Sequence, residues 1–336
     1  MSNNKSKNNK KIKALALLSG GLDSSLAVKL ILDQGIDVVA LNFTSPFCLC
    51  GSHGCNAITT AKKFGIPIKV VSKGEDYLRL IRKPKYGYGR HMNPCIDCRI
   101  YIFKKAKKIA REIKADFIFT GEVLGERPMS QHMRAFKIIE KESKLEGKIL
   151  RPLSAKLLPK TEAEIKGLVD REKLLSIHGR SRKKQMELAN KFQIDYPCPS
   201  GGCLLTYKEF SNKLRDLFNH KKKISLRDIN LLKIGRHFRF ENNKIIVGRN
   251  KEENEKLLNM KEAKDYCFEV PNFGSPITLL QGKKTKKAVE IAAKITAHYS
   301  DAKNEKEVLV RYGRDKMDKK IEVKPMKNSE IEKFRI

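Results

Sequence analysis

Short apolar runs alternate with segments of helical periodicity through the first half of the chain. The apolar runs predict strands at residues 14–18, 37–43, 66–71, 116–120 and 149–153. Apolar residues spaced three and four apart predict helices at residues 22–31, 57–64 and 100–113. Strands that alternate with helices pair in parallel, because each helix returns the chain to the same end of the sheet. The pattern therefore predicts an α/β fold with a doubly wound parallel sheet, covered by helices on both faces.

The pattern changes twice in the second half of the chain. First comes a strongly basic segment with mostly helical periodicity, and then a hairpin pattern followed by further strands and helices, which indicates a small α+β domain. The Asn-, Lys- and Ser-rich start of the chain has no apolar core and predicts a disordered tail. The expected segments are the tail at 1–11, the α/β domain at 12–155, a basic helical connector at 156–230 and the α+β domain at 231–336.

A glycine-rich motif follows the first predicted strand and opens the first predicted helix. Its seven residues are Ser19-Gly20-Gly21-Leu22-Asp23-Ser24-Ser25. The glycines let the backbone approach a ligand closely, while serine hydroxyls and the free N–H groups of a first helical turn suit an anion. An ordinary turn with Asp23 or Ser24 as the helix N-cap is the alternative. Residues of these types at the end of a strand favour a phosphate site, although the sequence of a Walker loop is absent.

The charge of the chain indicates a polyanionic partner. Lysine and arginine number 71 against 38 aspartate and glutamate, which gives a formal net charge of +33 over 336 residues. Basic residues also cluster, at residues 104–108, 180–184, 221–223 and 283–287. Lysine-rich solvated surfaces explain part of this excess, but a field of this sign concentrates nucleic acids. The composition therefore favours RNA or DNA as a partner.

Eight cysteines supply the second candidate chemistry. We expect a cytoplasmic protein without membrane association, in which thiols stay reduced and serve as ligands, nucleophiles or core residues. Cys95 and Cys98 precede a predicted helix, whose dipole lowers thiolate pKa, and Cys203 lies on a glycine-rich turn. These three thiolates would leave one open iron in a 4Fe-4S cluster, whereas adding Cys198 as a fourth would close a cluster or a zinc site. We favour the set of three, with Cys198 as the alternative ligand.

The other cysteines carry less information. Cys48, Cys50 and Cys55 follow the second predicted strand, and they form either an auxiliary metal site or incidental thiols in a loop, the second being favoured. Cys267 lies in a strand pattern and is expected in the core.

The motif at residues 19–25 resembles the PP-loop, S-G-G-x-D-S, of the ATP pyrophosphatase superfamily. Members of that superfamily cleave ATP between the α- and β-phosphates and adenylate a substrate oxygen. The resemblance implies that ATP and Mg²⁺ bind here, with Mg²⁺ near Asp23 and the nucleotide contacted by Ser19, Gly20, Gly21, Leu22, Asp23, Ser24 and Ser25. Further along, Gly248-Arg249-Asn250 with Asn254 resembles the RNA-binding domain of the NFACT family, which implies contact with RNA.

Residues 119–131, together with the PP-loop, the Cys95/Cys98 pair and residues 149–153, resemble tRNA 4-thiouridine synthases. Asn93-Pro94-Cys95 and Cys203 are also similar to bacterial tRNA 2-thiouridylases. These resemblances imply that a tRNA uridine oxygen is adenylated and then replaced by sulfur. We favour 4-thiouridine at tRNA position 8 over 2-thiouridine at the anticodon wobble position. The residues implicated are Asp23, Cys95, Cys98 and Cys203 in catalysis, with Gly121 and Glu122 beside the nucleotide. Phe43, at the end of the second predicted strand, is expected either near the adenine or in the core.

The sulfur would arrive either as a persulfide on Cys203 or as sulfide on the open iron of a cluster, and the cluster is favoured. A cysteine desulfurase or inorganic sulfide would be the donor. Two other functions remain open: another PP-loop enzyme that adenylates a small molecule, and an RNA-binding protein without activity. The oligomeric state is also open, with a dimer among the alternatives.

Overall fold

A computed structural model describes residues 11–48, 56–196 and 202–336, so nearly all of the predicted tail at 1–11 lies outside the described residues. The chain forms two compact units, Met1–Thr206 and Tyr207–Ile336, called here the N-terminal unit and the C-terminal unit. In the described part of the chain, no helix has the length and apolar character needed to cross a membrane.

The N-terminal unit is built on a five-stranded parallel sheet. Across the sheet the order is β3-β2-β1-β4-β5, and the strands are β1 (Lys13–Leu17), β2 (Asp37–Thr44), β3 (Ile68–Ser72), β4 (Phe117–Thr120) and β5 (Ile149–Leu150). The helices are α1 (Leu22–Leu32), α2 (Asn56–Lys63), α3 (Glu75–Arg82), α4 (Cys95–Glu112), α5 (Met133–Ser143), α6 (Glu162–Ile165) and α7 (Lys183–Lys191). Because the strand order reverses beside β1, the crevice that binds ligands in such sheets lies at the carboxyl ends of β1 and β4.

Helices cover both faces of this sheet. Successive β1 side chains point to opposite faces, so that Ala14 and Ala16 pack in one buried cluster and Leu15 and Leu17 in another. Residues of α1 and α2 complete the first cluster, and residues of α4 and α5 complete the second. The predicted doubly wound α/β fold is confirmed.

The segment expected to be a separate connector, residues 156–230, is divided between the two units. Its first part belongs to the N-terminal unit because Ile177 and Ala189 pack against the buried face of α1. Its last part belongs to the C-terminal unit, where the Asp216 carboxylate accepts hydrogen bonds from the Arg239 guanidinium. These long-range contacts do not follow from the local helical and basic pattern on which the prediction was based.

The C-terminal unit holds a six-stranded sheet in the order β11-β10-β8-β9-β7-β6, and its neighbouring strands are antiparallel. The strands are β6 (Arg236–Phe240), β7 (Asn243–Val247), β8 (Tyr266–Glu269), β9 (Thr278–Gln281), β10 (Val308–Gly313) and β11 (Lys319–Val323). The helices are α8 (Lys208–His220), α9 (Leu226–Leu231), α10 (Lys251–Asn259), α11 (Lys286–His298) and α12 (Asn328–Ile331). The longest apolar helix face, on α11, packs against one side of the sheet, and residues of α9 and α10 pack on the other. Cys267 is buried in this second cluster, as expected.

Candidate active site

The PP-loop connects β1 to α1 as predicted, and its own hydrogen bonds fix its shape. The Ser24 and Ser25 hydroxyls each donate to the Gly21 carbonyl oxygen at 3.0 Å, and the Ser19 and Ser24 hydroxyls lie 3.0 Å apart. Gly21 is the N-cap of α1, and no side chain caps its first turn. Neither Asp23 nor Ser24 is therefore the cap, and N–H groups at the start of α1 remain available to a ligand.

Two glycines allow the loop to pack closely against its neighbours. Gly20 has a φ of 75°, and a Cβ there would overlap the backbone of Asn56 and Ala57 at the start of α2. A Cβ on Gly121, directly after β4, would lie 2.5 Å from both the Asp23 carbonyl carbon and the Ser24 nitrogen. The end of β4 and the PP-loop therefore meet backbone to backbone.

Asp23 lies in a crowded and partly buried charge cluster. Its carboxylate is 3.8 Å from the Arg182 guanidinium, which also forms an ion pair with Glu126. Burial, and then the nearby negative charge of Glu126, raise the pKa of Asp23 to about 6, against the opposing positive charges of Arg182 and Arg127. Among the described residues, Asp23 Oδ1 and Glu126 Oε2 are buried without a hydrogen-bond partner.

The two unpartnered carboxylate oxygens fit Mg²⁺. This ion favours oxygen ligands and is usually held by one or two carboxylates, with water and substrate phosphates completing its shell. A divalent cation would also remove the repulsion between Asp23 and Glu126 that contributes to the raised pKa. Glu126 was not identified from the sequence, because its proximity to Asp23 depends on the packing of the segment after β4 against the PP-loop.

Glu122, expected beside the nucleotide, lies at the centre of a buried ion-pair network. Its side chain is only 1 % exposed, and its two carboxylate oxygens lie 3.3 Å from Arg99 Nε and 3.2 Å from Arg151 Nε. Arg151 continues the network to Glu140 at 2.6 Å. Glu122 is therefore held by two guanidinium groups, and through Arg99 it connects the end of β4 with the helix that carries Cys95 and Cys98.

Cys95 and Cys98 lie in the first turn of α4, which begins at Cys95 and not at Ile100 as expected. Cys98 Sγ accepts hydrogen bonds from Lys73 Nζ at 3.2 Å and from the Tyr77 hydroxyl at 3.0 Å. Lys73 Nζ also lies 4.5 Å from the centre of the Tyr77 ring. Both donors come from the β3–α3 region, and no local sequence pattern linked them to the cysteine pair.

The surroundings divide the three thiols into one that ionises easily and two that do not. Burial opposes ionisation of Cys98, but the charge of Lys73, the hydrogen bond from Tyr77 and the charge of Arg99 outweigh it, so the pKa of Cys98 is lowered. Burial raises the pKa of Cys95, and it raises the pKa of Cys203 to about 11. Cys98 is thus the member of the group that is most easily a thiolate.

The chain brings Cys203 to the same region as the other two thiols. The thiolates of Cys95 and Cys98 would repel a thiolate at Cys203, and this repulsion contributes to the raised pKa of Cys203. The segment is held in place because Leu204 N donates to the Phe47 carbonyl at 2.8 Å, and Met92 N donates to the Leu205 carbonyl at 3.1 Å.

Cys48 lies directly opposite Cys203 in an isolated antiparallel bridge. The hydrogen bond of this bridge runs from Leu204 N to the Phe47 carbonyl oxygen, so the two cysteines face each other without a backbone hydrogen bond between them. Cys48 therefore lies beside Cys203, and its role, as auxiliary metal ligand or incidental thiol, stays a prediction. Cys50, Cys55 and the alternative ligand Cys198 lie outside the described residues.

Metal binding by the thiols was tested against this arrangement. Within residues 11–48, 56–196 and 202–336, no three Cys, His, Asp or Glu side chains are grouped so that they could hold a metal ion. The arrangement does not fit zinc bound by Cys95, Cys98 and Cys203. Cysteine thiols are the donor type that a 4Fe-4S cluster takes, and cluster binding by these three residues stays a prediction.

The remaining predicted residues lie close to the PP-loop or on the sheet. Leu22, Ser24 and Ser25 are buried, so a ligand would meet their backbone more readily than their side chains. Phe43, the second-last residue of β2, packs partly buried against the cluster beneath α4 and α5. Contact of these residues with ATP stays a prediction.

Two neighbouring residues connect the PP-loop to the helix that carries the cysteines. Gly121 packs against the backbone of Asp23, and Glu122, the next residue, pairs with Arg99 of α4 at 3.3 Å. The PP-loop and the start of α4 therefore lie on opposite sides of the end of β4.

Comparisons with known proteins match the two units separately. Residues 10–157 match the family model of the thiamine biosynthesis protein ThiI, and residues 235–335 match the NFACT protein RNA binding domain. A tRNA-specific 2-thiouridylase MnmA from Geotalea uraniireducens is 33% identical over 135 residues, which are 34% of this chain and 36% of the relative. MnmA from Tropheryma whipplei is 31% identical over 121 residues, 33% of this chain and 34% of the relative. The chain thus spans about a third of the length of these curated relatives.

Solved structures give weaker likenesses. A crystal structure of a 4-thiouridine synthetase–RNA complex with bound ATP is 22% identical with a TM-score of 0.34, covering 66% of this chain and 52% of that one. The U34-tRNA thiolase NcsA from Methanococcus maripaludis, with its [4Fe-4S] cluster, is 21% identical with a TM-score of 0.34, covering 66% of this chain and 73% of that one. The family-model matches are the stronger finding: residues 10–157 are similar to the thiamine biosynthesis protein ThiI, and residues 235–335 are similar to the NFACT protein RNA binding domain.

Proposed function

We propose that this protein is an ATP-dependent tRNA thiolase, which adenylates a uridine carbonyl oxygen and replaces that oxygen with sulfur. The observation that carries the proposal is the direct link between the PP-loop and the helix of the cysteines, because Gly121 packs on the Asp23 backbone and Glu122 pairs with Arg99 of α4. An adenylating enzyme for a small molecule needs a phosphate site but no adjoining thiols. The family matches and the net charge of +33 support RNA as the substrate class.

Adenylation makes the carbonyl oxygen a leaving group. The uridine oxygen attacks the α-phosphorus of ATP, the bond between the α- and β-phosphates breaks, and pyrophosphate leaves with the bonding electrons. N–H groups at the start of α1 are positioned to stabilise the negative charge of the phosphates. Asp23 and Glu126 would hold Mg²⁺, which neutralises phosphate charge when bound. Arg182, paired with both carboxylates, keeps them oriented.

Sulfur transfer completes the reaction. A sulfur nucleophile attacks the activated carbon, and AMP leaves with the original oxygen. We propose that Cys203 carries this sulfur as a persulfide, received by exchange from the persulfide of a cysteine desulfurase. The outer sulfur attacks the activated carbon, and the Cys98 thiolate then attacks the Cys203 sulfur, so that the thionucleoside is released and a Cys98–Cys203 disulfide remains. An external thiol reduces this disulfide before the next turnover. A 4Fe-4S cluster held by Cys95, Cys98 and Cys203 would instead supply an open iron for sulfide. Lys73 and Tyr77 keep Cys98 ionised in either case, since both donate to its sulfur.

Within this class we propose 4-thiouridine at tRNA position 8 as the product. Residues 119–131 support it, through their resemblance to 4-thiouridine synthases. The MnmA relatives favour the alternative, 2-thiouridine at the anticodon wobble position.

Pyrophosphate release tests the proposal. With unmodified tRNA, wild-type protein should release pyrophosphate from ATP, and Asp23→Ala should abolish the release. Asp33→Ala, at the far end of α1, removes the same charge outside the PP-loop and serves as the control. Cys203→Ala should keep a single turnover of pyrophosphate release but form no thionucleoside. Full thiolation by Cys203→Ala would contradict its role, and pyrophosphate release independent of tRNA would favour a small-molecule substrate.

A further inference from the structure

Three cations surround one tyrosine ring in the C-terminal unit. Lys284 Nζ lies 5.5 Å, the Arg314 guanidinium carbon 5.7 Å and Lys319 Nζ 5.8 Å from the centre of the Tyr266 ring. We call Tyr266, Lys284, Arg314 and Lys319 the Tyr266 patch. Attraction between each cation and the ring face favours this arrangement, although the cations repel one another.

The sheet topology brings the patch together from distant parts of the chain. Tyr266 begins β8, Lys284 follows the end of β9, Arg314 follows the end of β10 and Lys319 begins β11. Because these four strands are adjacent and antiparallel, all four residues lie at the same end of the sheet. The patch is thus a product of the fold and not of a basic run in the sequence.

No acidic side chain neutralises the patch within the described residues. None of its three cations forms an ion pair there, and Lys284 Nζ donates only to the Gly282 carbonyl oxygen. The nearby Asp265 is fully buried and already paired with Arg227. Burial, followed by the charges of Arg314 and Lys264, lowers the pKa of Lys284, against the attraction of Asp265.

We infer that the Tyr266 patch is the surface by which the C-terminal unit grips the phosphate backbone of RNA. Three unneutralised cations fixed at one end of a sheet suit a ligand with closely spaced negative charges, and phosphates are such a ligand. Tyr266 acts as a positioning residue, whose ring holds the cations together. The inference rests on the proposed function for its RNA partner and adds the surface that binds it.

The test measures tRNA affinity of the full-length chain as a function of salt concentration. In the patch variant, each of the three cations is replaced by glutamine. The control variant, Lys256→Gln with Lys294→Gln and Lys303→Gln, removes the same charge elsewhere in the unit, and two of its lysines are already paired with glutamates. The slope of log K against log salt should fall by about 2 to 3 in the patch variant, since each phosphate contact contributes roughly 0.7–0.9. The control slope should change by less than about 1.

Two further readouts separate the possible failures. Tyr266→Leu keeps every charge but should weaken tRNA binding several-fold, whereas Tyr266→Phe, which keeps the ring, should restore wild-type binding. Equal slopes in the patch and control variants would overturn the patch assignment while leaving the proposed function intact. If wild-type protein bound tRNA no better than a neutral polymer, the proposed function itself would be contradicted.

Discussion

The contact between Gly121 and the PP-loop gives the sharpest test of how the site is assembled. In Gly121→Ala, the added methyl carbon would lie 2.5 Å from the Asp23 carbonyl carbon and from Ser24 N. Carbon atoms in contact lie about 3.5–4.0 Å apart, so the PP-loop or β4 must move by about 1 Å. Overpacking of this kind costs about 1–3 kcal/mol. For a unit of this size, that loss lowers the melting temperature by about 2–4 °C per kcal/mol.

Two matched glycines isolate the cause. At Gly89 the added carbon would overlap the Met129 sulfur still more closely, but this is the end of a flexible side chain that can turn away. At Gly21, in the PP-loop itself, it would meet only the Ser19 hydroxyl oxygen at 3.5 Å, an ordinary contact. We expect Gly89→Ala to change the unfolding free energy by less than about 0.5 kcal/mol. Gly21→Ala should cost only the roughly 0.5–1 kcal/mol by which alanine is a poorer N-cap than glycine.

Calorimetry of the full-length variants measures the loss of stability. The transition to compare is the one that ATP shifts to higher temperature, because it reports unfolding of the unit that holds the PP-loop. Gly121→Ala should lower that transition, and it should also weaken ATP binding because the start of α1 is displaced. An unchanged melting temperature and unchanged ATP affinity in Gly121→Ala would refute the backbone-to-backbone contact. An equal loss of melting temperature in Gly121→Ala and Gly89→Ala would show that steric overlap alone, and not the rigidity of the PP-loop, decides the loss of stability.

Two further predictions concern charge at the site. In protein free of Mg²⁺, the Asp23 carboxyl should titrate near pH 6 by NMR, and Glu126→Gln should lower this pKa because it removes a negative charge that raises it; an unmoved titration would contradict the coupling. Tyr77→Phe removes a hydrogen bond that stabilises the Cys98 thiolate, so it should raise the pKa of Cys98. Alkylation rates against pH, read by peptide mass spectrometry, measure this shift. Tyr101→Phe, which loses a hydrogen bond to a carboxylate instead, is the control and should leave Cys98 unchanged.

Local patterns predicted the parts of the fold that depend on local chemistry. The alternation of apolar runs and helical periodicity indicated the parallel sheet, and the glycines at residues 20 and 21 marked the loop between β1 and α1. The start of α4 was placed five residues too late, because Pro94 and the polar residues around Cys95 and Cys98 looked like a loop. Proline before a helix is in fact compatible with its first turn, where no N–H partner is lost.

The partners of the site residues could not be predicted, because they come from distant segments. Lys73 and Tyr77 reach Cys98 only after β3 and α4 have packed on the same sheet. Glu126 carries no motif of its own and matters through its charge beside Asp23. Residue type and spacing identified the cysteines, but not which one ionises, since that depends on burial and neighbouring charges.

The most direct test of the account is nucleoside mass spectrometry of tRNA after incubation with the purified protein, ATP, and a cysteine desulfurase with cysteine and a thiol reductant, with sulfide replacing the desulfurase and cysteine in a parallel reaction. The account predicts 4-thiouridine at position 8, formed only with ATP and absent in the Asp23→Ala and Cys203→Ala reactions. Formation of 2-thiouridine instead would keep the class of reaction and correct the position. If no thionucleoside formed while ATP and tRNA both bound, the central claim that this protein replaces a tRNA oxygen with sulfur would be contradicted.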